Sequence, residues 1–323
     1  MRAPDYWRRR TVTPFVLLPA GWIVSLAGAL RQRLARPWRA PVPVVCAGNL
    51  VAGGAGKTPL ALALAERLMA SGVAVHFLTR GYGGSAAGPL RVEPSRHGFR
   101  EVGDEALLLA RLAPTWVARD RRAGAAAAAA AGADILVMDD GFQNPALVKD
   151  LSVLAIDGGY GFGNGLVLPA GPLREPVARG AARAEAAVMI GPDRTEARAR
   201  LPRDLPVLAA RFEPGPEGEL LAGKSLVAFA GIGRPDKLFE TLTGLGAELV
   251  EAAPFPDHHV YTPDDIMWMV EIAATLGSRP VTTLKDFVRL PEEAKAMVDT
   301  LSVTLEFADP AALDALLARV LEG

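Results

Sequence analysis

The chain contains a glycine-rich run that ends in a lysine and a threonine, Gly53-Gly54-Ala55-Gly56-Lys57-Thr58. Glycines allow a loop to turn its amides inward onto a polyphosphate, the lysine reaches the outer phosphates, and the threonine hydroxyl can ligate magnesium. The usual pattern has a glycine five residues before Gly56, where this chain has Val51. The run is therefore a variant phosphate loop, and the alternative is a glycine-rich turn with a chance Lys-Thr pair. The predicted nucleotide-binding residues are Val51, Ala52, Gly53, Gly54, Ala55, Gly56, Lys57 and Thr58.

A pair of adjacent acids, Asp139 and Asp140, follows the apolar run 135–138. A buried strand of this kind delivers carboxylates to its carboxyl edge. In phosphate-loop enzymes an acid at that place helps to hold the magnesium ion that bridges the outer phosphates. Two adjacent acids at a strand end are costly without a cation, so we predict that Asp139 and Asp140 hold Mg²⁺ together with Thr58.

Two further acids and a histidine could handle a proton. Asp104 and Glu105 precede an apolar helical run, 106–112, where their negative charge is favourable near a helix N-terminus. They could cap this helix or could include a general base, and the residues alone leave both readings open. His258 follows Asp257 in a loop and belongs either to a proton-handling pair or to a surface loop. A zinc site would need further ligands at suitable spacing, and the neighbouring sequence has none.

Candidates for substrate binding lie in two loops rich in glycine and proline. Arg80 and Tyr82 follow the apolar run 73–78, at the edge where open α/β sheets bind ligands, although single residues of these types are also ordinary in turns. Arg174 and Glu175 stand in a stiff loop, 163–176, and such loops usually position a group. Arg121, from a basic cluster before an alanine-rich helix, completes the substrate-binding candidates.

The elements that would position these residues alternate along the chain between strands and helices. The 323 residues, 50% of them hydrophobic, are enough for two domains with cores of their own. We predict an α/β fold that is P-loop NTPase-like: a mostly parallel sheet flanked by helices, a second smaller α/β domain, and an N-terminal membrane-associated helix. Glycines and prolines between 214 and 218 mark the linker, so the predicted limits are 1–40, 41–212 and 213–323.

Composition argues against several classes of protein. Cys46 is the single cysteine and lies in an apolar strand, which excludes a disulfide framework and favours a reducing compartment. The net charge is −1, and the sequence has neither zinc spacing nor an aromatic-basic pattern, so we predict no nucleic-acid partner. No obligate protein partner is inferred.

The N-terminal segment combines positive charge with an apolar stretch. Residues 1–40 carry eight arginines against one acid, Asp5, and residues 11–30 contain no charge. The stretch just reaches the length of a spanning helix, but Pro14, Pro19 and Gly21 interrupt it and arginines flank both sides. We predict that it lies on or dips into a membrane surface, with arginines near anionic headgroups. The alternative is a buried helix that packs on the domain core.

In this order, the motifs resemble those of one family, the tetraacyldisaccharide 4'-kinases, also called lipid A 4'-kinases. The resemblance runs from about residue 22 to residue 289. The motifs that carry it are G-N-L-x-x-G-G-x-G-K-T at 48–58, R-G-Y-G-G at 80–84, G-D-E at 103–105, D-D-G-F-Q at 139–143, L-P-A-G-P-L-R-E-P at 168–176 and D-H at 257–258. No single motif would suffice. In this family pattern Val51 is a regular feature of the loop.

The resemblance implies an ATP-dependent lipid kinase that uses ATP and Mg²⁺. Its acceptor would be the 4'-hydroxyl of an acylated glucosamine disaccharide 1-phosphate, and its product would be lipid IVA. The enzyme would be a peripheral or monotopic protein at the cytoplasmic face of the bacterial inner membrane. The resemblance assigns the base to Asp104, supported by His258, while Lys57 neutralises charge on the phosphates. Gln143, in the D-D-G-F-Q motif, is counted with the nucleotide-binding residues.

Two positions depart from the family pattern. Asn144 stands where a histidine is common, and Leu284 stands where an acid commonly precedes the Lys-Asp pair 285–286. A GTPase or a nucleotide-driven metal chaperone is a competing interpretation, but it needs an N/T-K-x-D element, and here the lysine and aspartate are adjacent. A membrane-bound scaffold with a purely structural nucleotide is a third interpretation.

Overall fold

The computed structural model describes residues 4–7 and 12–322. The first four predicted basic residues, at positions 2, 8, 9 and 10, lie outside the described residues. The described part contains thirteen strands: β1 (Val44–Gly48), β2 (Val75–Thr79), β3 (Leu90–Arg91), β4 (Thr115–Val117), β5 (Ile135–Asp139), β6 (Leu151–Asp157), β7 (Ala186–Ile190), β8 (Val207–Pro214), β9 (Ser225–Ala230), β10 (Glu248–Pro254), β11 (Arg279–Thr283), β12 (Asp299–Leu301) and β13 (Val303–Phe307).

Twelve α-helices connect these strands within the described ranges. They are α1 (Val12–Leu34), α2 (Lys57–Ala70), α3 (Phe99–Val102), α4 (Asp104–Leu109), α5 (Arg121–Ala130), α6 (Val177–Ala181), α7 (Glu217–Leu221), α8 (Asp236–Gly244), α9 (Pro263–Thr275), α10 (Leu284–Phe287), α11 (Glu292–Lys295) and α12 (Pro310–Leu321). Two short 3-10 helices, Asp5–Trp7 and Ala197–Arg200, add to them.

The larger sheet has nine strands in the order β13-β8-β7-β6-β1-β5-β2-β4-β3. Its seven central strands, β8 to β4, run parallel, and the two edge strands pair antiparallel. Strands β1, β2, β5, β6 and β7 are buried along their whole length, because helices cover both faces of the sheet. β1 lies between β5 and β6, so whatever follows these three strands meets at one edge of the sheet.

The smaller sheet has four parallel strands in the order β10-β9-β11-β12. With helices α7 to α11 and two apolar clusters of its own, it forms the small domain, and the nine-stranded sheet with its helices forms the large domain. The predicted fold class is thereby confirmed. The chain then returns, since β13 pairs with β8 and Leu313, Leu317 and Val320 of α12 join the large core. Division by sheet therefore assigns residues 303–321 to the large domain, which the predicted limit 213–323 did not foresee.

Helix α1 is one continuous helix of 23 residues, so the predicted interruption at its prolines is wrong. Pro19 lies inside it, and Gly21 lies so close to the body that an added Cβ would stand 2.9 Å from the Val167 carbonyl oxygen. Arg179 holds the helix further by donating to the carbonyl and hydroxyl oxygens of Ser25 (2.9 and 2.5 Å). The opposite side is apolar and exposed; its residues include Phe15, Val16, Trp22, Ile23, Leu26 and Leu30.

The length and hydropathy of α1 would allow it to cross a membrane, and 11% of its most apolar window is buried against the protein. A core helix would bury most of its surface, so the alternative of a helix packed inside the domain core does not describe α1.

Candidate active site

The phosphate loop connects β1 to α2, the order that the sequence predicts. Gly53 and Gly56 have φ angles of 109° and 90°, which side chains with a Cβ rarely adopt. At Gly56 a Cβ would also stand 2.5 Å from Ile190 Cδ1, the end of a side chain that would have to shift. The first residues of α2, Lys57 and Thr58, follow at once, and their side chains therefore sit where the loop amides and the helix N-terminus converge.

Val51 has a structural role that accounts for the variant pattern. Its side chain is buried, and its backbone forms an antiparallel bridge with Leu173. The neighbouring Ala52 amide donates to the Pro172 carbonyl (2.7 Å), and the Arg174 amide donates to the Leu50 carbonyl (2.8 Å). The stiff loop 163–176 thus supports the phosphate loop from outside, which agrees with a positioning role for that loop.

Asp139 and Thr58 form the part of the site that fits a cation. Thr58 Oγ1 donates to Asp139 Oδ2 (2.9 Å), while the buried Asp139 Oδ1 has no hydrogen-bond partner among the described residues. Burial raises the pKa of Asp139 to about 6, although Lys57 acts in the opposite direction. A buried, unpartnered carboxylate oxygen next to a hydroxyl is an oxygen donor set that Mg²⁺ accepts. These residues therefore fit the ion that the resemblance implies.

Asp140 is instead paired with cations. Arg174 binds both of its oxygens (2.7 and 3.1 Å), and Lys57 Nζ lies 4.0 Å from Oδ2. Burial alone would raise the pKa of Asp140, but Lys57 and Arg174 lower it below its ordinary value. Its φ of 55° is unusual for an aspartate. Asp140 thus orients Arg174 and Lys57 beside the phosphate loop, and the structure gives its carboxylate different neighbours from those of Asp139.

Gln143 and Glu175 hold the phosphate loop indirectly. Gln143 Nε2 donates to the Asn49 carbonyl (2.8 Å) and to Glu175 Oε1 (3.2 Å). Glu175 is buried and forms a two-pronged ion pair with Arg183 (2.7 and 2.8 Å). Arg31, near the end of α1, donates to the Gln143 carbonyl (2.8 Å). Gln143 thus links the start of the phosphate loop to the Glu175–Arg183 ion pair and to α1.

Asp104 and His258 meet across the two domains. His258 Nδ1 lies 2.9 Å from Asp104 Oδ2, and the Glu105 amide donates to Asp104 Oδ1 (3.0 Å). Lys285 Nζ and Arg289 Nε lie 3.9 and 3.5 Å from the same Asp104 oxygen. Burial opposes ionisation of Asp104, but the bond from His258 and the charge of Lys285 hold its pKa well below the usual range. Asp104 is an anion, so Nδ1 of His258 carries the proton of this bond.

Lys285 is the central cation of this cluster, and the sequence analysis did not predict it. Its ammonium lies 2.8 Å from Glu105 Oε1 and 3.4 Å from His258 Nε2. Burial, together with the charge of Asp104, raises the pKa of Glu105 in spite of Lys285. Asp104, Glu105 and His258 are close enough to hold a metal ion among the described residues, but the Lys285 ammonium already lies among them. This arrangement suits proton handling better than a second metal.

Arg289 and Asp286 hold the cluster of Asp104, His258 and Lys285 in place from the small domain. Asp286 is fully buried and accepts from the Gly231 amide (2.8 Å), the Tyr261 hydroxyl (2.7 Å) and Arg289 (2.7 Å). Thr283 caps the short helix α10 by accepting from the Asp286 amide (3.0 Å). The departure at Leu284 leaves this network intact, because its contacts come from the residues on either side. The adjacent Lys-Asp pair at a strand end was the sequence signal for these residues.

The remaining candidates lie at the carboxyl edge of β2 and β4. Tyr82 is exposed and its ring centroid is 5.3 Å from that of His258. Arg80 is exposed, whereas Arg121 is buried, donates to the Ala118 carbonyl and has no partner for its Nε among the described residues. Burial, followed by the charge of Arg80, lowers the pKa of Arg121 to about 10. At the other departure, Asn144 Oδ1 accepts from the Ala146 amide (2.8 Å) and so closes a turn.

The two groups of residues are close enough to form one site. Helix α2, which follows the phosphate loop, contacts α4, which begins at Asp104. The charge of Glu105 contributes to the pKa of Lys57, and that of Lys285 contributes to the pKa of Asp139. We call Lys57, Thr58, Asp139, Asp140 and Arg174 the donor half, and Asp104, Glu105, His258, Lys285 and Arg289 the acceptor half.

The chain is similar over nearly its whole length to known proteins of one family. The family model for tetraacyldisaccharide-1-P 4'-kinase (LpxK) matches residues 13–322. A tetraacyldisaccharide 4'-kinase of Gluconacetobacter diazotrophicus is 57% identical over 98% of this chain and 97% of its own length, and one of Rhodospirillum centenum is 53% identical over 100% and 98%. The crystal structure of an LpxK from Aquifex aeolicus in complex with ATP superimposes with a TM-score of 0.77 and 27% identity, over 95% of this chain and 99% of that one.

Proposed function

The chain belongs to the tetraacyldisaccharide 4'-kinase family and is an ATP-dependent kinase of a lipid disaccharide, and we propose which of its residues perform the transfer. The reaction moves the γ-phosphate of ATP to the 4'-hydroxyl of tetraacyldisaccharide 1-phosphate and yields lipid IVA, in lipid A biosynthesis. The observation that carries the assignment is the pairing of His258 with Asp104 across the domains, beside a complete phosphate loop.

In the donor half, the loop amides and Lys57 bind the outer phosphates of ATP. Lys57 and Arg174 are held beside the loop by Asp140, so their positive charges are in place before the nucleotide arrives. Phosphoryl transfer depends mainly on in-line positioning and on neutralising charge that spreads over the transferred group, which is what such fixed cations supply.

Asp139 and Thr58 would hold Mg²⁺ through the free Asp139 Oδ1 and the Thr58 hydroxyl. When bound, the ion would neutralise charge on the phosphates. The raised pKa of Asp139 supports this assignment. It means that the ionised carboxylate is poorly stabilised by the protein alone, so a cation at the free oxygen would stabilise it. Asp140 acts indirectly, because it holds Lys57 and Arg174 beside the phosphates.

In the acceptor half, Asp104 accepts the hydrogen bond of the attacking 4'-hydroxyl and orients it toward the γ-phosphate. Its low pKa is no obstacle, because a loose transition state for phosphoryl transfer requires little proton transfer before the phosphorus–oxygen bond to the leaving group lengthens. His258 stabilises the Asp104 carboxylate through Nδ1, and Lys285 and Arg289 hold the pair in place. The remaining candidates would contact the phosphorylated sugar or the nucleotide; they are Arg80, Tyr82 and Arg121.

We further propose that α1 places the enzyme on the cytoplasmic face of the inner membrane, as a peripheral or monotopic protein. The exposed apolar side of α1 supports this proposal, as do the arginines at its carboxyl end. A lipid acceptor is itself confined to the membrane, so an enzyme held there meets it without extracting it first. No obligate protein partner is required by this scheme.

A transfer assay tests the function directly. Radiolabelled γ-phosphate should pass from ATP to the acylated disaccharide 1-phosphate in vesicles, and much less to the same disaccharide without its acyl chains. GTP replaces ATP in a parallel reaction. Equal hydrolysis of ATP and GTP that is indifferent to the lipid would support the GTPase interpretation instead.

A further inference from the structure

A second ion cluster joins the two domains, outside the residues assigned to the transfer. Asp157 is the last residue of β6 in the large domain, and 4% of its side chain is exposed. Arg234 Nη1 donates to both of its oxygens (2.8 and 2.8 Å), and Lys237 Nζ lies 2.6 Å from Oδ2. Both cations belong to the small domain: Arg234 lies in the turn after β9, and Lys237 is the second residue of α8. We call these three residues the interdomain clamp.

The turn that carries Arg234 also packs on the phosphate loop. A Cβ on Gly233 would stand 2.9 Å from the Gly54 amide nitrogen, so the two backbones approach as closely as glycines allow. The clamp therefore holds a backbone segment of the small domain directly against the loop that binds phosphate.

The same turn is bonded to His258. The His258 amide donates to the Gly231 carbonyl (3.0 Å), and Arg289 Nη2 donates to that carbonyl as well (3.0 Å). The Gly231 amide is in turn held by Asp286 (2.8 Å). Because these bonds tie the beginning of the turn to the histidine loop, the position of the turn sets the position of His258.

The interdomain clamp and the Asp104–His258 pair lie on opposite sides of the phosphate loop. Asp157 ends β6, on one side of β1, whereas Gly103 lies against the Tyr82 carbonyl, beyond the end of β2, on the other side. The chain itself crosses between the domains after β8 and before β13, and each attachment adds a further constraint on the small domain. Two attachments that straddle the loop fix the orientation of the domain.

We infer that Asp157, Arg234 and Lys237 are positioning residues that dock the small domain so that His258 meets Asp104. The inference rests on the role proposed above for that pair. A carboxylate that is buried with two cations suits a docking contact, because removal of the carboxylate leaves charges without a partner and thus favours separation of the surfaces. Charge on Lys237 and Arg234 lowers the pKa of Asp157 although burial opposes this, so the contact persists at neutral pH.

The first test compares Arg234→Ala with Arg279→Ala. Arg279 also bonds both oxygens of one aspartate, through Nε and Nη2 to Asp299 (2.7 and 2.9 Å), but this more exposed pair lies entirely within the small domain. We expect kcat for lipid phosphorylation to fall tenfold or more in Arg234→Ala and less than twofold in Arg279→Ala. Arg234→Lys, which keeps the cation, should recover part of the loss. Equal kcat in wild type and Arg234→Ala would overturn the inference.

The second test asks whether the clamp acts through His258. If it does, Arg234→Ala in a His258→Ala background should cost less than a further twofold in kcat, because the group that it positions is already absent. Losses that multiply would overturn the positioning role.

Hydrogen exchange gives a readout that does not depend on activity. Without substrates, the amides of residues 53–58 should exchange at least fivefold faster in Arg234→Ala than in the wild type. Their exchange rates in Arg279→Ala should equal those of the wild type. Unchanged exchange in both variants would overturn the inference even if the wild type proved inactive on the lipid. A wild type that phosphorylates no lipid, but whose exchange responds as expected, would leave the docking contact supported and overturn the proposed function alone.

Discussion

Asp139 in the donor half and Asp104 in the acceptor half are both buried aspartates, with 2% and 3% of their surfaces exposed, but they have opposite surroundings. Asp139 receives one hydrogen bond from Thr58 and keeps one oxygen without a partner. Asp104 receives bonds on both oxygens and has two cations near it. Burial accordingly raises the pKa of Asp139 to about 6, whereas the partners of Asp104 lower its pKa.

This difference separates two uses of a carboxylate. A group with an open oxygen in a buried place has room for a cation and gains from its arrival. A group whose charge is already balanced stays an anion until the transfer is under way, so it can orient the hydroxyl and receive its proton late in the reaction. The charge of the donor half is therefore balanced only when ligands bind, whereas the charge of the acceptor half is balanced by residues of the small domain.

The largest effect is expected from Asp104→Asn. The amide keeps the size of the side chain but cannot receive a proton or pair fully with His258, so kcat should fall by about 10² to 10⁴. The affinity for ATP should change little, because the donor half is intact. Transfer assays and nucleotide titrations measure the two quantities, and Asp193→Asn, at an exposed aspartate, is the control. An active Asp104→Asn enzyme would contradict the role of this residue.

Lys57→Ala should affect the opposite half. Removing a cation that faces the developing charge should lower kcat by about 10² to 10³. Unlike Asp104→Asn, it should also weaken ATP binding, since in the proposed scheme Lys57 binds the outer phosphates. Titration of both variants with ATP distinguishes the halves, and equal nucleotide affinities would argue against dividing the site in this way.

Asp139→Asn should change stability in a direction set by the raised pKa. Its folded value of about 6 lies above the ordinary 3.8, so the folded state binds this proton more tightly and loses stability as the pH rises from about 4 to 6. Without metal at pH 8, the free energy of unfolding of Asp139→Asn should therefore exceed that of the wild type by up to about 3 kcal/mol. The advantage should shrink as the pH is lowered toward 4.

Added Mg²⁺ separates this effect from a general gain in packing. The ion should raise the Tm of the wild type and do so much less in Asp139→Asn, because the charged ligand is absent. Thermal unfolding with and without Mg²⁺ measures this. A Tm that responds equally in both proteins would show that Asp139 does not hold the ion.

The acceptor half also depends on how its lipid arrives, and α1 can be altered without touching either half. Trp22→Glu places a charge on the exposed apolar side and should weaken binding to anionic vesicles about 10- to 100-fold, since a large apolar side chain contributes about 1.5 to 3 kcal/mol when it is buried. Leu220→Glu, at an equally exposed position of the small domain, is the matched control.

Sedimentation with vesicles measures the binding, and the KM values show which half is affected. Trp22→Glu should raise the apparent KM for the lipid but not that for ATP. Deletion of residues 1–30 should act in the same sense. Vesicle binding that is unchanged in both proteins would contradict the membrane role of α1.

The donor half could be predicted from the sequence because each of its segments carries a recognisable local pattern. The phosphate loop is one segment, and its partners Asp139 and Asp140 end an apolar run whose strand lies next to β1. The acceptor half combines residues near 104, 258 and 285, which are far apart in sequence and meet through the packing of two domains. Asp104 and His258 could be placed together through the family resemblance alone.

Lys285 and Arg289 were missed because they lie in and just after the short helix α10, whereas their partners Asp104 and Glu105 are far away in sequence. The return of β13 and α12 to the large sheet was missed for a related reason. Nothing in the apolar pattern of residues 303–321 states which of two sheets it will join, since the choice depends on the free edge at β8. Long-range pairing of this kind is decided by the assembled fold.

The smallest effect is expected from Thr262→Ala, which tests whether the acceptor half needs the whole small domain to be stable or needs it only to be docked. Thr262 caps α9: its hydroxyl accepts from the Asp265 amide (3.2 Å), and Asp265 in turn accepts from the Thr262 amide (2.9 Å). Loss of such a cap costs about 1 kcal/mol. The Tm should therefore fall by a few degrees, while kcat at 25 °C should stay within twofold, because the contacts among Asp104, His258 and Lys285 do not involve this cap. A fall in kcat that tracks the fall in Tm would mean that the docked arrangement is populated only marginally, so that any loss of small-domain stability reaches the acceptor half.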